Sequence, residues 1–236
     1  MKKQIRRFLK LALTLSLCLL VVTGCASTPS DTGEGPDAES PGKVLLVVSF
    51  GTSYNDNRDL SIGGVENALQ TAYPDYEVRR AFTSQIIIDK LAERDKIEID
   101  NVTEAMDRLV ADGVKEVVIQ PTHVMSAFEY DDVITEVTPY KDKFDSFKIG
   151  KTLLASDADY DEVVSSIMEE TKDYDVDGTA IVFMGHGTEH EANATYAKLQ
   201  QSVVDAGQDN YFIGTVEAEP SLEDVMALVK DSGATR

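Results

Sequence analysis

Ala180-Ile-Val-Phe-Met-Gly-His-Gly-Thr-Glu-His190 sets the terms for the rest of the chain. Ala180 to Met184 is a short apolar run of the kind a buried parallel strand requires. It breaks off in Gly185-His186-Gly187-Thr188, where flanking glycines permit a tight turn and close backbone approach to a ligand. Asn193 to Ala206 then has helical character, carried by Ala194, Ala197, Leu199, Val203 and Val204. His186 is thereby expected at the carboxyl end of a strand, where open α/β sheets hold their ligands. An isolated loop histidine is also compatible with a simple hydrogen-bonding role.

Outward from this stretch, Val47-Val48-Ser49-Phe50-Gly51-Thr52-Ser53 repeats the pattern of Phe183-Met184-Gly185-His186-Gly187-Thr188-Glu189 when the two Gly-Thr pairs are superposed. Each copy ends a predicted strand and precedes a predicted helix, which suggests two similar α/β halves. They are not equivalent, because Phe50 stands where the second copy has His186. Chemistry is expected in the second half.

Several further motifs carry a family resemblance. Val47–Ser53, Tyr76–Gln85, Asp112–Met125, Met184–His190 and Gly214–Glu217 resemble the anaerobic sirohydrochlorin cobaltochelatases. These are class II chelatases, whose fold also serves ferrochelatase. The resemblance runs from about Lys43 to the last residues, with the motifs in the family's order. It implies metal insertion into a tetrapyrrole. The matching His186 and Glu217 would help hold the incoming metal and handle protons, together with a second histidine late in the chain.

Before Lys43 the chain has a different character. Lys2, Lys3, Arg6, Arg7 and Lys10 precede the apolar Leu11–Val22, the pattern of an export signal over residues 1–24. Val22-Thr23-Gly24-Cys25 resembles a lipobox, so Cys25 is expected to carry lipid and tether the protein to a membrane. An ordinary signal peptide with a chance cysteine is the other reading. Residues 25–42, small, polar and rich in Pro and Gly, read as a flexible tether. The expected localisation is that of an exported, membrane-anchored lipoprotein, periplasmic or on the cell surface.

From Lys43 onward, strand and helix patterns alternate as a parallel α/β fold requires. Strands are expected near 44–49, 76–81, 115–120, 147–153, 179–184 and 210–216. Helices are expected near 59–73, 84–93, 101–112, 129–141, 158–171, 193–206 and 221–231. Asn101 with Glu104, and Ser221 with Asp224, have the spacing of capping boxes. The first half should span 43–175 with four strands, and the second 176–236 with two. That second half reads as incomplete. The family continues with a buried strand and the loop that bears its second metal-site histidine, so an exposed apolar edge is expected here, one that favours a homo-oligomer.

Charge and cysteine content restrict the chemistry. The formal net charge is −20, and the export signal is wholly basic, so the remainder is more acidic still. Nucleic acid and electrostatic adhesion to anionic lipid are disfavoured as partners. A carboxylate-bearing tetrapyrrole would need local cations to receive it, and Arg58, Arg79 and Arg80 are candidates. The only cysteines are Cys18 and Cys25, which leaves no thiolate for a metal in the mature domain. Imidazoles (His123, His186, His190) and carboxylates remain, a set suited to divalent cobalt, iron, nickel or zinc.

Glu217 ends the strand that follows the His186 unit, so the two should share one rim within reach of a single Co2+, with Glu219 a weaker competitor. An imidazole titrating near pH ~6.5 is suited to take a pyrrole proton. His123 follows a strand in Pro121-Thr-His-Val-Met125, which leaves three readings. It lines the cleft, contacts a tetrapyrrole or haem as an axial ligand, or ties down a proline-containing loop. Tyr54, Met125 and Phe128 are candidate apolar wall. Neither Gly185-His-Gly187 nor Gly63-Gly64 fits a P-loop, so ATP is not expected. Three classes follow: a cobalt-inserting enzyme (or its iron-inserting variant toward sirohaem), an exported haem- or metal-binding lipoprotein, and an α/β domain without chemistry.

Overall fold

The computed structural model describes residues 42–236. The expected signal over 1–24, Cys25, and all of the tether except Gly42 lie outside the described residues. Among these there are two parallel sheets. The first contains β1 (Lys43–Ser49), β2 (Glu77–Phe82), β3 (Glu116–Pro121) and β4 (Ser146–Ile149), in the order β2-β1-β3-β4. The second pairs β5 (Ile181–Gly185) with β6 (Tyr211–Thr215).

β1 is central because it is apolar on both faces, with Val44, Leu45, Leu46, Val47 and Val48 at most 4% exposed. Burying each such side chain contributes about 1.5–3 kcal/mol relative to leaving it in water. Leu46 lies level with Arg79 on one neighbour and Ile119 on the other. On one face, Leu46, Val117 and Ile119 pack against α4 (Val102–Ala111) and α5 (Phe128–Val137) through Met106, Leu109, Val133 and Val137. On the other, Phe82 packs with Ile88 and Leu91 of α3 (Gln85–Asp95). α4 begins with the expected capping box: Glu104 N–H donates to Asn101 Oδ1 at 2.9 Å, and Asn101 N–H to Glu104 Oε2 at 3.0 Å.

The second sheet has its own core. Val164, Ile167 and Met168 of α6 (Asp157–Thr171) meet Leu199 and Val203 of α7 (Ala194–Asp205), with Ile181, Phe183 and Tyr211 beneath. α6 precedes residue 175 in the chain, yet its packing joins it to this second sheet. α8 (Leu222–Asp231), opened by the Ser221–Asp224 capping box, packs on the other face of β6. A Cβ on Gly214 would meet Val225 at 2.6 Å. β6 is therefore buried on both faces, whereas Val182 and Met184 of β5 are 38% and 40% exposed. Beside Gly178 and Ala180 run the last residues, held by Thr235 N–H and Arg236 N–H on Gly178 O and by Ala180 N–H on Arg236 O.

Three elements differ from expectation. The helix expected over 59–73 starts earlier, with the short α1 (Asn55–Asn57), and passes through a π-helical stretch at Arg58–Ile62 before α2 (Gly63–Ala72). α5 stops at Val137 and tightens into a 3₁₀ turn, Thr138–Lys143, where Pro139 has no N–H to continue an α-helix. β4 ends at Ile149 rather than near 153. The side chain of Gln120 lies so close over Gly150 that a Cβ there would be 2.1 Å from its Oε1, and the chain leaves the sheet. No described helix is long and apolar enough to cross a membrane.

Candidate functional site

The carboxyl ends of β1, β3, β5 and β6 deliver Phe50, His123, His186 and Glu217 to one cleft of about 620 Å³. Ser49 and Thr122 share a hydroxyl hydrogen bond of 2.8 Å that ties the ends of β1 and β3 together. Past the end of the β5–β6 ladder, Val216 N–H donates to Gly185 O at 3.0 Å and Glu217 N–H to His186 O at 2.9 Å. Strand pairing thus extends into the loops and holds their side chains level.

Both glycines around His186 are dictated by packing. A Cβ on Gly185 would lie 2.2 Å from the Tyr196 ring, and one on Gly187, where φ is +87°, would lie 2.8 Å from Ala218. No L-residue larger than glycine fits either place without displacement. The imidazole is forced outward, and His186 Nε2 lies 3.4 Å from Glu217 Oε2, with the two side chains 77% and 66% exposed.

That spacing has chemical content. Two N/O ligands held about 2.1 Å from a divalent ion at a tetrahedral angle lie about 3.4 Å apart. The pair is already spaced to share one ion. No group of three His, Cys, Asp or Glu residues able to hold a metal occurs among the described residues. A two-ligand seat leaves most of an ion's coordination positions for other donors, which suits transfer better than storage.

Opposite stands His123. Both of its nitrogens are buried with no hydrogen-bond partner among the described residues. Desolvation holds its pKa below the ordinary histidine value, with Glu129 opposing. The imidazole does not tie down its loop, since the main chain does that: Leu153 N–H donates to His123 O and Leu154 N–H to Val124 O. Phe50, Met125 and Phe128 supply apolar wall, with Glu129 and Glu189 at its edges. Tyr54 is exposed and does not line this cleft.

The remaining candidates are engaged elsewhere. His190 Nδ1 accepts from Ala192 N–H at 3.0 Å, its Nε2 is 3.8 Å from Asp131, and its ring stands edge-on to Phe128 at 4.8 Å. It joins α7's approach to α5 and is not a spare ligand for the pair. Glu219 accepts from Ser221 N–H at the start of α8. Arg58 is 6% exposed and bonded to Asn55. Arg79 is paired with Glu77 and Asp112, and Arg80 with Glu66. Arg79 and Arg80 border a separate recess with Arg108 and Asp100, so none of the three expected cations reaches the cleft, and its described lining contains no Lys or Arg.

Sequence reasoning passed over two residues. Tyr196 accepts from Gly187 N–H at 3.2 Å. Asn193 accepts from Thr188 N–H at 3.1 Å and donates to Glu219 O at 2.7 Å. The available signal was an amide and a phenol three residues apart at a helix start, on the side facing the preceding turn.

Two parallel sheets whose strand ends share a cleft, with an imidazole and a carboxylate 3.4 Å apart in its lining, define a chelatase-like α/β protein. The family model for cobalt chelatase (CbiK) matches residues 43–236. Over 193 residues the chain is 36% identical to a sirohydrochlorin cobaltochelatase of Salmonella typhimurium, an alignment covering 82% of this chain and 72% of that one. It is 26% identical over 193 residues to the sirohydrochlorin cobaltochelatase CbiKC of Nitratidesulfovibrio vulgaris, covering 81% and 67% respectively. The chain belongs to the cobalt chelatase (CbiK) family.

Proposed function

We propose that this protein is a sirohydrochlorin cobaltochelatase that inserts Co2+ into the macrocycle without ATP. The observation that carries the reading is the His186–Glu217 pair, 3.4 Å apart at the mouth of a cleft walled by Phe50, Met125 and Phe128. The apolar wall takes the face of the tetrapyrrole, and the absence of cations from the described lining leaves its carboxylates in water. His186 Nε2 and Glu217 hold the ion. As pyrrole nitrogens replace these ligands, the two pyrrole N–H protons that Co2+ displaces leave the macrocycle, one to the freed His186 imidazole and one to the Glu217 carboxylate, and both pass on to water. His123, neutral and unpartnered on the other wall, contacts the macrocycle. Iron insertion toward sirohaem uses the same groups, since N/O ligands discriminate weakly between the two metals.

One observation favours a second reading: an imidazole with two unsatisfied nitrogens is also suited to be an axial ligand of haem. In an exported lipoprotein anchored through Cys25, the cleft would then serve as a carrier. The full chain, incubated with sirohydrochlorin and Co2+ or Fe2+ while absorbance is followed, separates the two. Repeated turnover is the expected result. A stable one-to-one spectral shift without turnover would replace the enzyme with a carrier. Location has its own test: Cys25→Ser should move the protein from the membrane fraction to a soluble or unprocessed form, and native protein found soluble with Met1 intact would end the export reading.

A further inference from the structure

We infer that Asn193 is a positioning residue that sets the distance between His186 and Glu217. The inference rests on the proposed role of that pair as the seat of the metal. Neither side chain is clamped by its surroundings, since both are largely exposed. Their separation is therefore governed by the two loops that carry them. To the main-chain bond from Glu217 N–H to His186 O, Asn193 adds a side-chain tie between the two loops. Its Oδ1 receives the N–H of Thr188, two residues beyond His186, at 3.1 Å. Its Nδ2 donates to the carbonyl of Glu219, two residues beyond Glu217, at 2.7 Å.

A carboxamide is suited to this because it presents an acceptor and a donor in one rigid plane, about 2.3 Å apart. Asn193 ends the 3₁₀ turn Glu191–Asn193 and leads into α7, whose packing against α6 and β6 fixes the amide from behind. One turn on, Tyr196 places its hydroxyl on Gly187 N–H and its ring against Gly185. The consecutive N–H groups of Gly187 and Thr188 are thus both received by the first residues of this helical segment. The seat of the pair is built on α7, and the amide extends that support to the second loop, beside the main-chain bond from Glu217 N–H to His186 O.

Asn193→Asp is the discriminating variant. It keeps shape and the acceptor for Thr188 but replaces the donor with a second acceptor facing the Glu219 carbonyl, which repels the loop. The full chain and the variant would be titrated with Co2+ in the absence of tetrapyrrole, by calorimetry or visible absorption. Insertion kinetics would be measured against each substrate separately. The expected result is a Co2+ Kd raised about tenfold, the scale of one lost and one opposed hydrogen bond. The KM for Co2+ should rise with it, while the KM for sirohydrochlorin and the thermal midpoint stay near those of the parent. A purely structural role would instead move both KM values and the midpoint together, and that result, or an unchanged Co2+ Kd, overturns the inference. Should Asn193→Asp fail to fold, Asn193→Ala, which removes both bonds, carries the same test, with a severalfold weaker Co2+ affinity expected and an unchanged one decisive against. The binding arm needs no turnover. A parent that binds Co2+ but inserts none therefore refutes the enzyme reading while leaving the positioning role to be judged.

Discussion

The turns at Gly51 and Gly187 are the same device used for different ends. Each follows a parallel strand and precedes a helical segment, and each holds its glycine at positive φ, +99° and +87°. In each, a Cβ would strike a neighbour, the Phe82 ring at 2.6 Å in the first and Ala218 at 2.8 Å in the second. The residue before the glycine is pushed into the cleft in both cases, Phe50 in one and His186 in the other. The first turn is secured by the main chain, with Thr83 and Ser84 N–H on the Ser49 and Phe50 carbonyls. The second is additionally braced by Asn193 and Tyr196. The fold supplies two rims; the identity of one side chain and its bracing make one rim an apolar wall and the other a candidate ligand.

The comparison is broken most severely by making the turns alike. His186→Phe, or the smaller His186→Ala, should lower metal insertion at least about 100-fold, because the proposed seat loses one of its two protein ligands. The thermal midpoint should stay within a few degrees, since the imidazole is exposed and contributes little packing. Near-normal turnover in steady-state assays would place the reacting centre elsewhere. Glu217→Gln, which removes charge without changing shape, should weaken Co2+ binding by about 10–100-fold, as read by titration; an unaltered Kd would leave His186 acting alone. Gly51→Ala and Gly187→Ala should each cost about 1–3 kcal/mol in denaturant unfolding, from positive φ and the crowded methyl. Only the Gly187 variant should also lose Co2+ affinity, and equal losses in both would erase the distinction between the rims.

The smallest effect concerns His123. Burial holds this imidazole below its ordinary value of 6.5, so the unfolded chain takes up a proton at a higher pH than the folded one does. Stability from this residue is fully present above about pH 6.5 and declines as pH falls below it. His123→Leu should therefore narrow the difference in thermal midpoint between about pH 7.5 and 5.5. An unchanged difference would mean that the imidazole titrates alike in the folded and unfolded chain.

What could be read from the sequence was whatever is written in local pattern. Val44–Val48 lies in an expected strand, and Asn101-x-x-Glu104 announces a helix start; both are found, whereas the Ala180–Met184 run, expected to be a buried strand, leaves Val182 and Met184 exposed. Pairing by sequence order put His186 and Glu217 on one rim, and the structure places them there. The misplacements have a common cause. That Arg79 and Arg80 are neutralised by Asp112 and Glu66, or that His190 turns toward Asp131 on another helix, depends on contacts between residues distant in sequence. Asn193 was passed over for a different reason, since a neutral amide carries no charge or ligand signal and acts only through geometry.

A cleft whose described lining holds no cation, in a chain of net charge −20, has a kinetic consequence. A ligand rich in carboxylates approaches such a surface against a long-range repulsion rather than being drawn in. Added salt shortens the reach of that repulsion, from about 30 Å at 0.01 M ionic strength to about 8 Å at 0.15 M. Encounter with the tetrapyrrole should therefore quicken as salt is added, while encounter with Co2+, attracted by the same field, slows. The two substrates of one reaction are tuned in opposite directions by the ionic strength of the compartment in which they meet.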